Sequence, residues 1–401
     1  MSPTRRCFAC PNAGFTLVEL LVASMITVVI MGALFSIVAP AQRVFQVQPE
    51  VADLQQRMRV GADAMRQALI VAGAGLDWGP AAGPLLDFIA PVLPYRAFGD
   101  ATDPSRGVYF RPDAITLLSV ESLASQTSLA APLPAGSSDA RLSAPSNCPG
   151  PTATRLCGFE EGDSLLVFDQ GSHVNAFRVL QVDGAGLRLA HRGGGALVGY
   201  GTGALVAKVT SLTYEAQPDA ATGAYQLMRY DGWQSDLPVV DNVVKLELEY
   251  FGDPQPPQLT GRSLDLTPGP WTTYGPPPPP LAEHRGAWAD GESCVFQVAD
   301  GRQVPRLPAI GSGTRLVRLS AAVLSDGPWC PDSAAPNRFD ADLFRIRRVR
   351  VTLRIQAALS SMRGPAGPLF TRGGTAMAGG RYVPDLEVHF DVTPRNLNLA
   401  R

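Results

Sequence analysis

Charged residues are scarce in this chain of 401 residues, of which Asp, Glu, Lys and Arg make up only 17%. The formal net charge is −2, so no global electrostatic field draws the protein to nucleic acid. Because 45% of the residues are hydrophobic, the composition excludes both a disordered chain and a membrane protein with many spans. The 40 glycines and 36 prolines indicate short strands joined by many loops rather than a mainly helical fold.

Histidine is rarer still, and the usual catalytic motifs are missing from the sequence. The four histidines stand singly, so none forms a His-Glu-x-x-His motif or a similar pair of metal ligands; they are His173, His191, His284 and His389. The sequence has no Gly-x-Ser-x-Gly, no P-loop and no glycine motif that opens a helix after a strand. We therefore expect a protein that is not an enzyme, with no catalytic residue, no metal site and no cofactor.

One long hydrophobic run is present near the N-terminus. Residues 15–39 are almost purely apolar, and as a helix they would extend roughly 37 Å, enough to cross the core of a bilayer. Arg5 and Arg6 precede the run, which predicts a cytoplasmic N-terminus and an exported remainder. The run is longer than that of a secretory signal peptide and lacks a small-x-small cleavage site at the usual distance, so a membrane anchor fits better.

A carboxylate interrupts this run at Glu19. Placing a carboxylate inside a bilayer costs about 2.5–3.5 kcal/mol on insertion scales, so a plain anchor leaves this residue unexplained. Snorkelling to the membrane surface is one explanation, because Glu19 lies near the start of the run. A role for the charge itself is the alternative, and the neighbouring residues favour it.

The segment Gly14–Ala23, GFTLVELLVA, resembles the processing motif of type IV prepilins at every position. In that family a short basic leader precedes a glycine, and prepilin peptidase cuts after the glycine and methylates the new N-terminal residue. The resemblance implies that residues 1–14 are the leader, that cleavage follows Gly14, and that Phe15 becomes the N-methylated terminus. We expect Glu19 to pair with the amino group of Phe15 on a neighbouring subunit, which would set the axial register of the helices.

Apolar residues recur at spacings of three and four beyond this run, which predicts an amphipathic helix over residues 40–75. They are Val44, Val47, Val51, Leu54, Met58, Ala62, Met65 and Leu69. Pro40 and Pro49 should bend or locally open the helix, and Gly73 with Gly75 should end it. We expect the stripe to pack against a sheet, or in part against another subunit.

Residues 76–401 are expected to form a β-rich domain, with a proline-rich insertion at about residues 253–282. Strands are predicted at residues 114–120, 164–169, 176–182, 187–191, 206–215, 225–230, 244–250, 349–355 and 386–392. The last three alternate apolar and polar residues, which is typical of antiparallel sheet with one buried face. The predicted fold class is α+β and pilin-like, with a long N-terminal helix packed on a large antiparallel sheet.

The order of elements over residues 205–400 is similar to that of the PilW family of minor pilins. A hairpin ending in LMRYDG, the strand VVDNVVKLELEYFG, a long insertion and the strand RIRRVRVTLRIQA follow one another. The order also resembles that of the J-type minor pseudopilins of type II secretion. The resemblance implies a minor pilin that helps to assemble or prime a type IV pilus. Its partners would be prepilin peptidase and other major and minor pilins, which it contacts through the N-terminal helix.

The same resemblance implies a location. Before assembly the chain would be a single-pass protein of the inner membrane with a periplasmic C-terminal domain, and afterwards part of a filament at the cell surface. Two other readings stay open at this point. One is a membrane-anchored adhesin whose residues 80–200 bind a ligand, and the other is a membrane-anchored periplasmic enzyme with a coincidental leader.

Six cysteines are present, and they fall into two groups. Cys7 and Cys10 form a Cys-x-x-Cys in the leader without a second such pair, so we do not expect a metal site there. The other four lie in the exported part, where an even number predicts two disulfides worth about 2–4 kcal/mol each. The preferred pairs are Cys148–Cys157 and Cys294–Cys330, and the two other pairing schemes stay open.

A run of five arginines lies near the end of the chain: Arg345, Arg347, Arg348, Arg350 and Arg354. A solvated strand face is the expected role. Contact with the phosphates of DNA is the alternative, although we do not expect a nucleic-acid partner. Asp340 and Asp342, just before the run, could touch a calcium ion, but they lack the full pattern of a calcium-binding loop.

Overall fold

The computed structural model describes residues 15–76, 89–97, 110–120, 126–143, 158–169, 174–183, 186–190, 199–219, 221, 224–233, 236–254, 296–300, 302–305, 315–325, 329–330, 339–364 and 383–397. An N-terminal apolar helix is followed by a large domain of antiparallel strands, consistent with the predicted α+β layout. The chain divides into two compact units, one of residues 1–53 and 359–384 and the other of residues 54–358 and 385–401. The helix contributes to both units.

Helix α1 (Leu17–Val71) is a single element of 55 residues. It continues through Pro40 and Pro49, so the structure does not show the local opening predicted at these prolines. Each proline removes one hydrogen bond, and the bonds of the neighbouring turns keep the helix continuous. The helix ends at the predicted place, because Gly73 adopts a φ of 81° and its N–H donates to Leu118 O at 2.8 Å. Glycine adopts this left-handed conformation without steric cost.

The described strands range from two residues in β1 to 17 residues in β11. In chain order they are β1 (Val92–Leu93), β2 (Ala114–Ser119), β3 (Gln126–Ser128), β4 (Asp139–Arg141), β5 (Ser164–Phe168), β6 (Val174–Asp183), β7 (Gly186–Ala190), β8 (Leu205–Lys208), β9 (Thr210–Pro218), β10 (Tyr225–Tyr230), β11 (Asp236–Gly252), β12 (Phe296–Ala299), β13 (Arg302–Pro305), β14 (Val317–Leu319), β15 (Trp329–Cys330), β16 (Phe339–Asp340), β17 (Ile346–Ile355) and β18 (Leu386–Val392). Short 3-10 turns cover Ala341–Arg345, Ser360–Met362 and Arg395–Leu397.

Eight strands form the larger sheet, which we call the main sheet. Their order is β1-β2-β9-β10-β11-β17-β18, with β14 also paired to β11, and the pairs are antiparallel. β11 is long because its first half pairs with β10 and its second half with β17. At the changeover Asn242 has a φ of 58°, and the register shifts on either side of it bend the strand.

The second half of α1 packs on one face of the main sheet. Its buried stripe consists of Leu54, Met58, Gly61, Met65 and Leu69. Gly61 lies close to the strands, since a Cβ atom built on it would be 2.8 Å from Val240 Cγ2 and 3.0 Å from Leu353 Cδ2. The predicted packing of this stripe against a sheet is therefore confirmed. The stripe differs from the prediction at its start and centre, because Val47 and Val51 are only half-buried and Gly61 is buried in place of the half-buried Ala62. The side chain of Val44 lies outside the described residues.

Six strands form a second sheet in the order β3-β8-β5-β6-β7-β4. Its two ends meet, because Leu129 and Leu142 form an antiparallel bridge just beyond β3 and β4, and the Ala130 N–H donates to Arg141 O at 2.8 Å. The sheet is therefore closed into a small barrel (residues 126–208) that has no open edge at this junction. Apolar side chains fill it: Leu129, Leu133, Leu142, Phe159, Leu165, Val167, Phe177, Val179, Leu187, Leu189, Tyr200 and Val206.

Each predicted strand coincides with an observed one except at one junction, and eight short strands were not predicted: β1, β3, β4 and β12 to β16. The prediction of a single strand at residues 206–215 is wrong, because β8 ends at Lys208, β9 begins at Thr210, and the two belong to different sheets. Alternation of apolar residues continues through the junction, so periodicity does not reveal a change of sheet. The predicted proline-rich insertion lies outside the described residues from residue 255 onward.

Candidate functional site

The first turn of α1 joins Thr16 to Glu19. The Thr16 backbone N–H and its Oγ1 both donate to Glu19 Oε2, at 3.0 and 2.9 Å. In return, the Glu19 N–H donates to Thr16 Oγ1 at 3.2 Å. This arrangement is a capping box, in which a threonine before the helix and a glutamate three residues later satisfy each other's backbone donors. The capping box was not predicted, although the spacing Thr-x-x-Glu before an apolar run was the available signal.

The helix beyond this turn is suited to a lipid surrounding. Side chains from Phe15 to Val38 are all exposed, and Leu17–Val38 is long and apolar enough to cross a membrane. Its hydroxyls bond within the helix, since Ser24, Thr27 and Ser36 donate to backbone carbonyls three or four residues earlier at 2.9, 2.8 and 2.7 Å. Polar groups with internal partners need no water, which is the condition for residing in hydrocarbon.

Most of the other predicted site residues lie outside the described part of the chain. They are Gly14, Cys148, Cys157 and Cys294, and Cys7 and Cys10, where no site was predicted, also lie outside it. Cys330 is in β15, where only the backbone is described. Phe15, the residue after the predicted cleavage, is 88% exposed. Cleavage after Gly14, methylation of Phe15 and the two disulfides therefore stay predictions.

Polar contacts hold the second half of α1 in place on the main sheet. Arg57 Nη1 donates to Asp241 O in the bend of β11, at 3.1 Å. Tyr214 Oη, from β9, donates to Ala64 O at 3.4 Å. Each contact joins a side chain to a main-chain carbonyl of the other element, so together they restrict both the rotation and the slide of the helix on the sheet. These contacts lie between Leu54 and Leu69, in the part of α1 that belongs to the same unit as the main sheet.

The arginine run forms ion pairs on the exposed face of the main sheet. Arg350 Nε donates to Asp391 Oδ1 at 2.7 Å, and its Nη1 lies 3.9 Å from Glu249 Oε2. These neighbours face each other across β11, β17 and β18. The hydrogen bonds from Arg350 hold the pKa of Asp391 below its usual value. Arg354 is paired as well, with Asp385 Oδ2 at 3.1 Å from its Nε. A face on which arginines alternate with carboxylates lends no support to the DNA alternative.

Arg345 departs from the prediction of a solvated strand face, because its side chain is buried. Its Nε donates to Asp253 O at 2.9 Å and its Nη2 to Pro254 O at 3.0 Å, so it holds the chain just before the proline-rich insertion. Its Nη1 donates to Asp342 Oδ1 at 2.7 Å, and Asp340 Oδ1 accepts from the Asp342 N–H at 2.8 Å. Both aspartates thus serve local structure, and nothing in this geometry favours the calcium alternative.

A buried ionic cluster that was not predicted from the sequence lies on the main sheet. Glu215 in β9 is fully buried and accepts from Arg96 Nη1 and, at 2.8 Å, from Arg111 Nη1. Arg96 also pairs with Asp236 at 3.0 Å and lies over the ring of Tyr230, 3.9 Å from its centroid. A charge this deeply buried requires such partners. The cluster therefore ties four separate chain segments together, and sequence patterns carry no sign of it because the residues are far apart in the chain.

The described part of the chain offers little for metal or nucleophile chemistry. Within it, no group of three or more His, Cys, Asp or Glu side chains could hold a metal ion. His389 lies 2.9 Å from both Thr352 Oγ1 and Glu387 Oε1, an order of groups that superficially resembles a catalytic triad. Thr352, however, is 4% exposed in the middle of a strand, so its hydroxyl cannot approach a substrate. These side chains form cross-strand contacts instead.

The comparisons with known proteins bear on the N-terminal segment. The prokaryotic N-terminal methylation motif matches residues 11–35, which include Gly14, Phe15, the capping box and most of the apolar helix. No curated protein and no solved structure matches the chain. The motif indicates a type IV pilin-like or pseudopilin-like protein that is processed by prepilin peptidase. With the apolar helix, it fits anchoring in a membrane followed by assembly with other pilins.

Proposed function

We propose that this protein is a minor pilin that takes part in assembling or priming a type IV pilus and has no catalytic role. The observation that carries the proposal is the methylation motif over residues 11–35, placed at the head of an apolar helix that is exposed as far as Val38. Such a surface is unfavourable in water, so this half of α1 needs lipid before assembly and the helices of other pilins afterwards. The similarity of the later strands to the PilW family supports a minor subunit.

Glu19 sets the register of assembly in this proposal. Cleavage after Gly14 would leave a cationic amino group on Phe15. In a low-dielectric surrounding that cation and the carboxylate of Glu19 on a neighbouring subunit attract far more strongly than in water. The bonds described from Thr16 both end on Oε2, so Oε1 is the oxygen that the incoming amino group would bind. The capping box would thus hold the carboxylate until a neighbour arrives.

The test of processing is the N-terminal sequence and mass of the mature protein. From cells with an active prepilin peptidase, the chain should begin at Phe15 and carry one methyl group on its amino nitrogen. Replacing Gly14 with a bulky residue should block cleavage, and Gly14→Ala should be tolerated poorly. The matched control is the same chain from cells without the peptidase, which should keep its leader. An intact N-terminus at Met1 from cells with the active peptidase would refute the proposal.

A J-type minor pseudopilin of type II secretion is the second candidate, because the same motif and the same order of strands support it. Its members are generally shorter than the 401 residues of this chain, which favours the pilus. Deleting the gene separates the two. Loss of pili with normal protein secretion supports the minor pilin, whereas normal pili with impaired secretion supports the pseudopilin.

A membrane-anchored adhesin is the third candidate, and the barrel is the observation that favours it. The barrel occupies most of residues 80–200, the region proposed as a ligand-binding insert, and it is a closed fold with its own core. An adhesin predicts that cells with normal pili lose adherence when the barrel is removed. Unchanged adherence of such cells would exclude this candidate.

A further inference from the structure

The chain leaves the main sheet for the barrel and returns to it at neighbouring positions. β2 ends at Ser119 and β9 begins at Thr210, and these two residues are direct partners in the antiparallel register. The barrel is therefore inserted at the end of the β2–β9 pair, where a two-residue turn could otherwise connect the strands. Proteins tolerate inserted domains at such places, because the two ends of the insert lie close together.

The barrel has its own strand pairing and its own hydrophobic core. Among the described strands, β3 to β8 pair only with one another, and the bridge between Leu129 and Leu142 closes their ring. Its core cluster is drawn from residues between 129 and 206. The main sheet, in turn, buries its apolar face under the second half of α1, as the close approach at Gly61 shows. Each part thus has a separate hydrophobic core, the usual mark of a domain.

We propose that the barrel is an inserted domain that folds independently of the pilin body, defined as α1 together with the main sheet. We further infer that the pilin body alone is sufficient for incorporation into a filament, an inference that rests on the proposed function. Its physical basis is that the contacts described for the second half of α1, at Arg57, Gly61 and Ala64, and the β2–β9 pairing all join residues outside the barrel. The barrel would then be the part of the subunit that can change without affecting assembly.

Independent folding is tested on the full-length chain by thermal unfolding in detergent. Leu165 in the barrel and Leu353 in the main sheet are both 0% exposed, so Leu165→Ala and Leu353→Ala are matched cavity-forming changes. We expect two unfolding transitions, with each variant lowering the midpoint of one and leaving the other at its wild-type value. A single transition that both variants shift would show that the barrel and the pilin body fold as one unit, and would overturn the proposal.

Sufficiency of the pilin body is tested by replacing residues 121–208 with Asn-Gly. This variant keeps Val120 and Val209, both buried, which the register of β2 and β9 places opposite each other. It should be processed and should enter filaments at the wild-type level. Its exclusion from filaments, or its failure to accumulate, would overturn the inference if the wild-type chain is incorporated. If the wild-type chain itself is absent from filaments, the proposed function is wrong, whatever the unfolding experiment shows.

Discussion

The two halves of α1 carry similar apolar side chains but place them in different surroundings. From Leu17 to Val38 every side chain is exposed, and apolar residues lie on all sides of the helix. From Leu54 to Leu69 the buried residues recur every three or four positions, and the residues between them are polar or half-buried except Val60, which is 48% exposed. The first pattern is typical of a membrane span and the second of a helix packed on a soluble domain. One continuous helix therefore joins a segment suited to lipid to a segment suited to packing on a sheet.

Because their surroundings differ, mutations in the two halves of α1 should have different effects. A change in the second half removes contacts with the main sheet, and burial of one large apolar side chain contributes roughly 1.5–3 kcal/mol to stability. A change in the first half removes nothing from the folded domain, so it should act on membrane insertion or assembly instead. A first-half variant that destabilises the domain, or a second-half variant that leaves its stability unchanged, would contradict this distinction.

The largest effect is expected at Glu19, in the first half. Glu19→Ala should leave membrane insertion intact, because it removes a costly carboxylate from the apolar segment. Cleavage should also survive, since the peptidase reads Gly14 and the residues that flank it. Incorporation into filaments should be lost, since breaking a buried ion pair typically costs about 3–5 kcal/mol. Glu19→Asp should do better than alanine but worse than wild type, because the charge remains and the reach shortens. The measurement is the amount of the subunit in purified pili relative to the processed protein in the inner membrane.

Glu19→Gln separates the charge from the capping box. Glutamine can still cap the Thr16 N–H, as in other capping boxes, but it cannot pair with a cation. If register depends on the charge, this variant should behave like Glu19→Ala. Incorporation of the glutamine variant at the wild-type level would show that Glu19 serves the first turn of the helix only.

The next effect concerns the second half of α1. Leu69→Ala should lower the free energy of unfolding of the domain by about 2–5 kcal/mol, because Leu69 is fully buried and its removal leaves a cavity. Val71→Ala is the control, since Val71 lies in the same helical turn and is 49% exposed. Denaturant unfolding should show a lower midpoint for the first variant and nearly no change for the second. Equal effects would mean that the helix stripe does not stabilise the domain.

A smaller effect is expected from filling the space at Gly61. Gly61→Val should destabilise the domain by about 1–3 kcal/mol through overpacking. Even the Cβ atom that valine adds would lie 2.8 Å from Val240 Cγ2 and 3.0 Å from Leu353 Cδ2. Part of this cost is offset because valine is a better helix former than glycine. Ala62→Val, at a half-buried position, is the control. A Gly61→Val variant as stable as wild type would show that the helix does not depend on close approach.

The smallest effect is expected on the outer face of the sheet, at Asp391→Asn. The pKa of Asp391 is lowered in the folded protein by its hydrogen bonds with Arg350, so its contribution to stability is present above its unfolded pKa and is lost as the pH falls through the lowered value. The pair is partly exposed, and such pairs contribute little and weaken with salt. At neutral pH the unfolding midpoint should move less than for Gly61→Val, and the difference should vanish in acid. A larger loss at pH 3 than at pH 7 would contradict this.

Much of the N-terminal site could be predicted from the sequence because its determinants are local. A membrane span depends on the composition of one segment, and the processing motif depends on the residues around Gly14. The capping box of Thr16 and Glu19 is local too, because its spacing Thr-x-x-Glu can be read directly from the sequence. The alternating strands β17 and β18 were also predictable, since burial of one face leaves a period of two in the sequence.

The remaining features were decided by the tertiary structure, because they depend on residues distant in the chain. The strand predicted at residues 206–215 divides between two sheets, and only the closure of the barrel explains why. Arg345 and Arg350 look alike in the sequence, yet one is buried against the carbonyl of Asp253 and the other pairs with a carboxylate on the surface. Composition sets which segments can be buried, whereas the partners of a buried charge are set by which strands come together.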